Sequence, residues 1–326
     1  MNDLHTHGSQ PNQITVTSAE AGQKLFQFLT RRTGLPGGAV MRLVRTGQVR
    51  VDGKRAKPYM RLAEGALVRI PPKLAAEIAS RTAPASSEES HEPVHVLAEE
   101  YDILAVMKPE GLPTHGGTGH FDSLASRLVA ARSGASFAPT PAHRLDKDTS
   151  GVLLMALSYA ALTALQRAFQ EHRVDKRYLA WVVGRFPEGG PYRLEDMVEK
   201  SGPSGRERMH ANAVGGKRAL SDVRLIEHRG DASLVEIRIH TGRTHQIRVQ
   251  LASRGHPICG DAKYGASAGA SLFLHAWRVA LPAELLPGAP VGYRPAYDCL
   301  PDWTNGFAVT EEPDEWPERM PVSWTF

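Results

Sequence analysis

Between Lys73 and Glu92 the sequence KLAAEIASRTAPASSEESHE falls to Ala, Ser, Glu, Pro and Thr, which reads as a linker, partly helical at most. That break divides the chain into two folding problems. On its N-terminal side, residues 18–72 carry eleven Lys and Arg (Lys24, Arg31, Arg32, Arg42, Arg45, Arg50, Lys54, Arg55, Lys57, Arg61, Arg69) against Glu20, Asp52 and Glu64. The segment is therefore at +8, and the rest of a chain whose net charge is +4 stands at −4. So lopsided a distribution suggests a module facing a polyanion, attached to a nearly neutral body, although a solvated basic surface without a partner has the same charge. With 326 residues and 41% hydrophobic content, both parts can bury a core. The expected boundaries are a disordered polar arm over 1–17, the basic module over 18–72, the linker over 73–92 and a main domain over 93–326.

Within the basic module, Ser18 is placed to cap a helix over 19–32 with Leu25, Phe28 and Leu29 on its apolar stripe. Gly34-Leu35-Pro36-Gly37-Gly38 breaks it, and AVMRLVRTG gives a second short helix stopped by Gly47. QVRVDGKR, with Asp52-Gly53 as a tight-turn signal, and ALVRIPP read as strands. Past the linker, HVLAEE and DILAVMKP form two strands joined at Tyr101-Asp102, and a helix follows around 122–132. VLLMAL is a buried strand, 159–172 a helix capped by Ser158, and KRYLAWVVG, KRALSDVRLIE and SLVEIRIHTG are further strands. THQIRVQLASRG reads as a helix ended by Gly255, with Ile247 and Leu251 in the core. Neighbouring strands with few crossovers favour α+β architecture with a mixed, mostly antiparallel sheet flanked by helices. The Pro-rich, acidic stretch after about 281 has no assignable structure from sequence.

One loop carries chemistry. HRLDKDTSG, residues 143–151, lies between two apolar strands and sets Asp146 and Asp148 among Arg144 and Lys147. A carboxylate with cationic neighbours stays ionised, as a nucleophile or general base must. A salt-bridged surface turn has the same composition.

This loop resembles the H-R-L-D-x-x-[TS]-S-G signature of the RluA family of pseudouridine synthases. DKRYLA resembles the family's K-x-Y-x-A block, and TGRTHQIRVQLASRGHPICGDAKYG its G-R-T-H-Q-I-R and G-D-x-x-Y-G blocks. VMKPEGLPTH resembles the family's K-P-x-G-x-x-x-H stretch, and the blocks follow in order over roughly residues 95–280. RLVRTGQVRVDGKRAKPYMRLAEGALVRIPP resembles the S4-like RNA-binding domain that precedes many such synthases.

The resemblance implies an enzyme that breaks the uracil–ribose bond and rejoins the sugar to C5 of the base. It implies Asp146 as the reacting carboxylate, either attacking as nucleophile or removing a ribose proton. Tyr178 would stack on the freed base, and Arg248 would grip Asp146 with its guanidinium fork. Arg144, Lys176, Arg243 and His245 are expected at the substrate, Arg144 clamping or replacing the flipped nucleotide. Arg243 and His245 would meet the phosphate backbone or support the loop, while His143 reads as a packed structural histidine. Arg42, Arg45, Arg50, Lys54 and Arg55 are expected to dock RNA.

Such an isomerisation needs no cofactor and no metal, and no nucleotide-binding glycine loop is present. His115 and His120 flank a glycine run but lack companions for a metal. The expected partner is RNA, of the large-subunit ribosomal (23S) type, for a monomer in a reducing cytoplasm, since Cys259 and Cys299 form no pairing motif and no run suits a membrane. The alternatives are the same chemistry on tRNA, or a non-catalytic RNA-binding assembly factor.

Overall fold

A computed structural model of the chain describes residues 12–82, 92–116, 122–201, 208–211, 215–265, 271–286, 288–318 and 320–324. The chain divides into two compact units, one holding residues up to 92 with 128–140 and 156–163, the other holding 93–127, 141–155 and 164–326.

The first unit has a small sheet in the order β1-β4-β2-β3, with β1 Gln13–Thr15, β2 Arg50–Val51, β3 Lys54–Arg55 and β4 Leu67–Arg69. Asp52 (φ 49°) and Gly53 (φ 73°) make the left-handed two-residue turn of a tight hairpin between β2 and β3. Helices α1 (Leu25–Thr33), α2 (Gly37–Arg45) and α3 (Pro72–Thr82) close the core, where Leu25, Phe28, Leu29, Val40, Val44 and Val68 are buried.

Three details differ from the sequence reading. Residues 12–17 are not a disordered arm. Gln13, Ile14 and Thr15 pair antiparallel with Arg69, Val68 and Leu67, because alternating Ile14 and Val16 seat on the core, while residues 1–11 of that arm lie outside the described residues. The first helix begins at Leu25 rather than 19. Ser18–Glu20 forms a single 3-10 turn, after which Gly22 takes φ 85° and donates its N–H to the Leu62 carbonyl. The first half of the supposed linker is the helix α3, whose Leu74 and Ile78 pack on the same core; residues 83–91 lie outside the described residues.

The remaining strands build one twelve-stranded sheet along the path β11-β10-β12-β13-β9-β14-β8-β6-β5. In chain order these are β5 His95–Glu100, β6 Ile103–Lys108, β7 Thr140–Pro141, β8 Ser150–Ala156, β9 Asp175–Val183, β10 Tyr192–Ser201, β11 Arg208–His210, β12 Lys217–Arg229, β13 Ala232–Ile239 and β14 Leu274–Ala280. β7 pairs with β8, β15 (Ala296–Asp298) with β14, and β16 (Val322–Ser323) with β10. Helices α4 (Leu124–Ala131), α5 (Tyr159–Gln170) and α6 (Gln246–Ser253) complete the fold. β10/β12, β12/β13, β13/β9 and β9/β14 run antiparallel, and β8 runs parallel to β14, so the sheet is mixed. This is the α+β architecture the strand order implied. The unassigned C-terminal stretch is held by Arg224, which donates to the carbonyls of Asp314 and Glu315 and lies over the Trp316 ring. No described helix is long and apolar enough to cross a membrane.

Candidate active site

The loop 143–151 is fixed at both ends by groups whose hydrogen bonds it cannot do without. The Lys108 side chain is fully buried at the end of β6, and its ammonium donates to the carbonyls of Pro109 (2.8 Å), Leu112 (2.7 Å) and Lys147 (2.8 Å). Three donors meet three acceptors, which satisfies a buried ammonium completely. Burial lowers its pKa to about 8, against the raising influence of Asp148, Asp146 and Glu110. Thr114 Oγ1 donates to the Leu145 carbonyl at 3.0 Å and accepts from the Leu145 N–H at 3.2 Å. Between these pins, the Thr149 N–H donates to the Asp146 carbonyl at 3.2 Å, closing the turn that presents the aspartate.

The far end of the loop is locked into the sheet. Gly151 has φ 119°, and a Cβ there would sit 2.3 Å from the Ala276 carbonyl oxygen on β14. Only glycine allows that approach. His275, the residue paired with Ser150 across β8 and β14, donates from Nε2 to the Cys299 carbonyl at 3.0 Å and accepts the Ser150 hydroxyl on Nδ1 at 2.8 Å. His143 is packed, as expected: its Nε2 accepts the Leu154 N–H at 3.1 Å and its ring stacks on Phe169 with centroids 4.5 Å apart. Burial, with the Lys176 charge beside it, lowers its pKa to about 3, so it stays neutral.

Lys176 and Tyr178 are two apart on β9 and so share a face. Both are buried. Burial lowers the Lys176 pKa to about 8, against the raising effect of Asp175, and raises that of the Tyr178 phenol, with the Asp146 charge adding to it. Asp146, Tyr178, Arg248, Arg144, Lys176, Arg243 and His245 all line a single cleft of about 420 Å³, large enough for a nucleoside.

Arg248 lines that cleft but does not grip Asp146 as the motif implied. Its Nε donates to Asp261 Oδ2 and its Nη2 to Asp261 Oδ1, both at 2.7 Å, within a buried pair. Asp261 is available because Gly260 (φ 78°) lets the chain pass the Ser271 carbonyl where any Cβ would collide, at 1.7 Å. Asp261 Oδ1 also accepts the N–H groups of Lys263 (3.0 Å) and Tyr264 (3.2 Å). His245 is the residue that approaches the Asp146 carboxylate, with Nε2 3.8 Å from Oδ2. Arg243 supports its loop by donating from Nε to the Arg218 carbonyl at 2.9 Å, and Arg144 is exposed at the mouth of the cleft. Sequence reasoning assigned nothing to Lys108, Thr114, Asp261 or Tyr264, although all four stand inside the VMKPEGLPTH and GDAKYG segments. His115 is described, but His120 lies outside the described residues.

A family model for RNA pseudouridylate synthases matches residues 102–253. Ribosomal large subunit pseudouridine synthase C of Vibrio cholerae is 36% identical over 270 residues, which covers 81% of this chain and 83% of that one. The protein of the same name from Escherichia coli K12 is 37% identical over 254 residues, 77% of this chain and 79% of that one. Among solved structures, human RNA pseudouridylate synthase domain containing 1 superposes with a TM-score of 0.51 at 30% identity, covering 59% of this chain and 80% of that one. Human RNA pseudouridylate synthase domain containing 4, at 24% identity and TM-score 0.52 over 64% of this chain and 89% of that one, shares the fold. With more than a third of its residues shared across four-fifths of its length, and with a cleft built from the matching blocks, the chain belongs to the RNA pseudouridylate synthase family.

Proposed function

We propose that this chain isomerises uridines of large-subunit ribosomal RNA to pseudouridine, working as a monomer with Asp146 as the reacting carboxylate. The observation that carries the proposal is the convergence of Asp146, Tyr178 and Arg248 on one cleft, together with relatives that are large-subunit enzymes. The N1–C1′ bond breaks, the base turns and C1′ bonds to C5; N1 gains a proton and C5 loses one, so atoms balance with no oxidant or co-reactant. Asp146 acts at the sugar, as nucleophile or as base. Tyr178, with its phenol held protonated by burial, offers a ring on which the detached uracil stacks. Arg144, Lys176 and Arg243 supply positive charge around a flipped nucleotide whose phosphates carry the negative charge.

The basic module supplies the docking surface in this reading. Arg42, Arg45, Arg50, Lys54 and Arg55 are all exposed. Arg50 stands directly opposite Arg55 on β3 and Arg69 on β4, three arginine positions in a row across the sheet. Like charges opposed across strands repel, and a phosphate backbone laid over them removes that cost.

The test is pseudouridine mapping on ribosomal RNA from cells lacking the protein, complemented with wild type or Asp146→Asn. Wild type should restore specific large-subunit pseudouridines that Asp146→Asn does not, although the variant still binds the RNA. Large-subunit RNA with every pseudouridine in place in the deletion strain would overturn the substrate; restoration by Asp146→Asn would overturn the assignment of the carboxylate.

A further inference from the structure

Arg248 gives Nε and Nη2 to Asp261, and a second chain of groups leads toward the Asp146 carboxylate. The Met209 N–H donates to the Tyr264 hydroxyl at 3.1 Å, and that hydroxyl lies 2.8 Å from His245 Nδ1. A phenol has one proton. Met209 takes one lone pair of its oxygen and leaves the proton free to go to Nδ1, the acceptor at hydrogen-bond distance. A Tyr264 proton given to Nδ1 leaves the imidazole proton on Nε2, the nitrogen 3.8 Å from Asp146 Oδ2. One bridging water, or a small rotation of the carboxylate as substrate enters, closes that distance.

Two independent features hold the imidazole there. His245 has φ 51° and ψ 24°, a left-handed conformation that is unfavourable for a non-glycine residue and persists where surrounding structure enforces it. Tyr264 is placed in turn by Asp261, which accepts its backbone N–H while gripping Arg248. Burial also lowers the His245 pKa, opposed by Asp146 and Asp261 and assisted by Arg248 and Lys263, the charged groups that face it from the catalytic loop, α6 and the turn after α6.

From this geometry we infer that His245 is a positioning residue: its neutral Nε2–H, oriented by Tyr264, fixes the Asp146 carboxylate for attack without giving it a proton. The inference rests on Asp146 being the reacting carboxylate. It assigns Tyr264 the part that a second partner plays for many oriented histidines, namely setting the tautomer. It also gives Met209, on β11, a route to the reacting group.

The test combines nitrogen-15 imidazole spectra of the full chain with kinetics of His245→Ala, His245→Gln and Tyr264→Phe on transcribed large-subunit RNA. The wild-type spectrum should show the Nε2–H tautomer, and Tyr264→Phe should turn it into a mixture. His245→Ala should lower the single-turnover rate at saturating RNA by on the order of tenfold or more, with the dissociation constant within about twofold of wild type. His245→Gln, whose amide N–H stands near the place of Nε2–H, should regain much of that rate. An Nδ1–H tautomer in the wild type overturns the inference even where a variant fails to fold. So does a His245→Ala enzyme with an undiminished saturating rate, or one whose loss lies only in affinity, which would make His245 an RNA contact. If the wild type leaves ribosomal RNA unmodified, the proposed substrate fails instead, and the tautomer with its dependence on Tyr264 still decides the hydrogen-bond chain.

Discussion

Arg248 and Asp261 form a buried two-point ion pair, Nε to Oδ2 and Nη2 to Oδ1, in which Arg248 lines the cleft. A buried pair with parallel hydrogen bonds is costly to break, because each charge left alone has neither water nor partner. The pair therefore ties α6 to the turn after it, and it places a cation close enough to Asp146 for the two charges to interact.

Asp261→Asn and Arg248→Lys should each cost stability, on the order of 3 kcal/mol for the first, which strands a buried guanidinium. Both should also slow single-turnover chemistry, since the lysine keeps charge but loses the planar fork. Urea denaturation together with rate measurement checks this. A normal midpoint for Asp261→Asn would mean that the pair is not a structural tie.

Much of this site was legible because its blocks combine period-two strands with residues of distinct chemistry: Lys176 and Tyr178 fall on one face of β9, and Asp146 on the loop that leads into the apolar strand β8. Arg248's partner was not. A sequence shows that an arginine and several carboxylates come from neighbouring blocks, but the choice between Asp146 and Asp261 depends on how the chain turns at Gly260 after α6. The edge strand β1 was missed for a related reason, since three residues of Gln-Ile-Thr become a strand only when β4 is there to pair with them. The helix start at Leu25 likewise follows from Gly22 bonding to Leu62, a partner forty residues away in the chain.

Gly151→Ala should be among the most damaging single-methyl changes in the protein. The added carbon would lie 2.3 Å from the Ala276 carbonyl oxygen and 2.6 Å from its nitrogen, both backbone atoms of a central strand. Relief requires β8 and β14 to part, at a cost of about 3 kcal/mol or more. Loss of soluble protein or a large drop in the urea midpoint is expected; a midpoint within error of wild type would show that the strands separate without penalty.

Lys176 should make RNA binding sensitive to mildly alkaline pH. Its pKa of about 8 in the fold, against an ordinary 10.5, means that it is charged below about pH 8 and loses that charge above it. A nucleotide phosphate beside it favours the charged form, so affinity should weaken as pH rises from about 7 to 9. In the free protein the sign is opposite: the folded state binds fewer protons than the unfolded one between about 8 and 10.5, so this group adds stability as pH rises through that window. Lys108, with the same downward shift, adds to the stability effect but is sealed from RNA by its three carbonyls. Dissociation constants against pH for wild type and Lys176→Met separate the two, and an identical slope in both would remove Lys176 from the phosphate.

The row of Arg55, Arg50 and Arg69 gives the last prediction, because stability and binding should move in opposite directions. In the free protein these residues lie opposite one another across β3, β2 and β4, with Arg50 donating to the Gly53 carbonyl and Arg55 to the Arg45 carbonyl rather than to a carboxylate among the described residues. Their repulsion is screened by water and salt, so Arg50→Gln should leave thermal stability unchanged or raise it slightly, by a few tenths of a kcal/mol. Binding to long structured RNA should weaken, and the slope of log affinity against log salt should fall by about one for each phosphate no longer neutralised. Chemistry at saturating RNA should stay intact, because residues of this row line no part of the cleft. Filter binding at several salt concentrations, with single-turnover rates alongside, reads all three quantities. An unchanged salt slope in the Arg50→Gln, Arg55→Gln double variant would mean that the row is an unpartnered surface, and that RNA is held by the cleft alone.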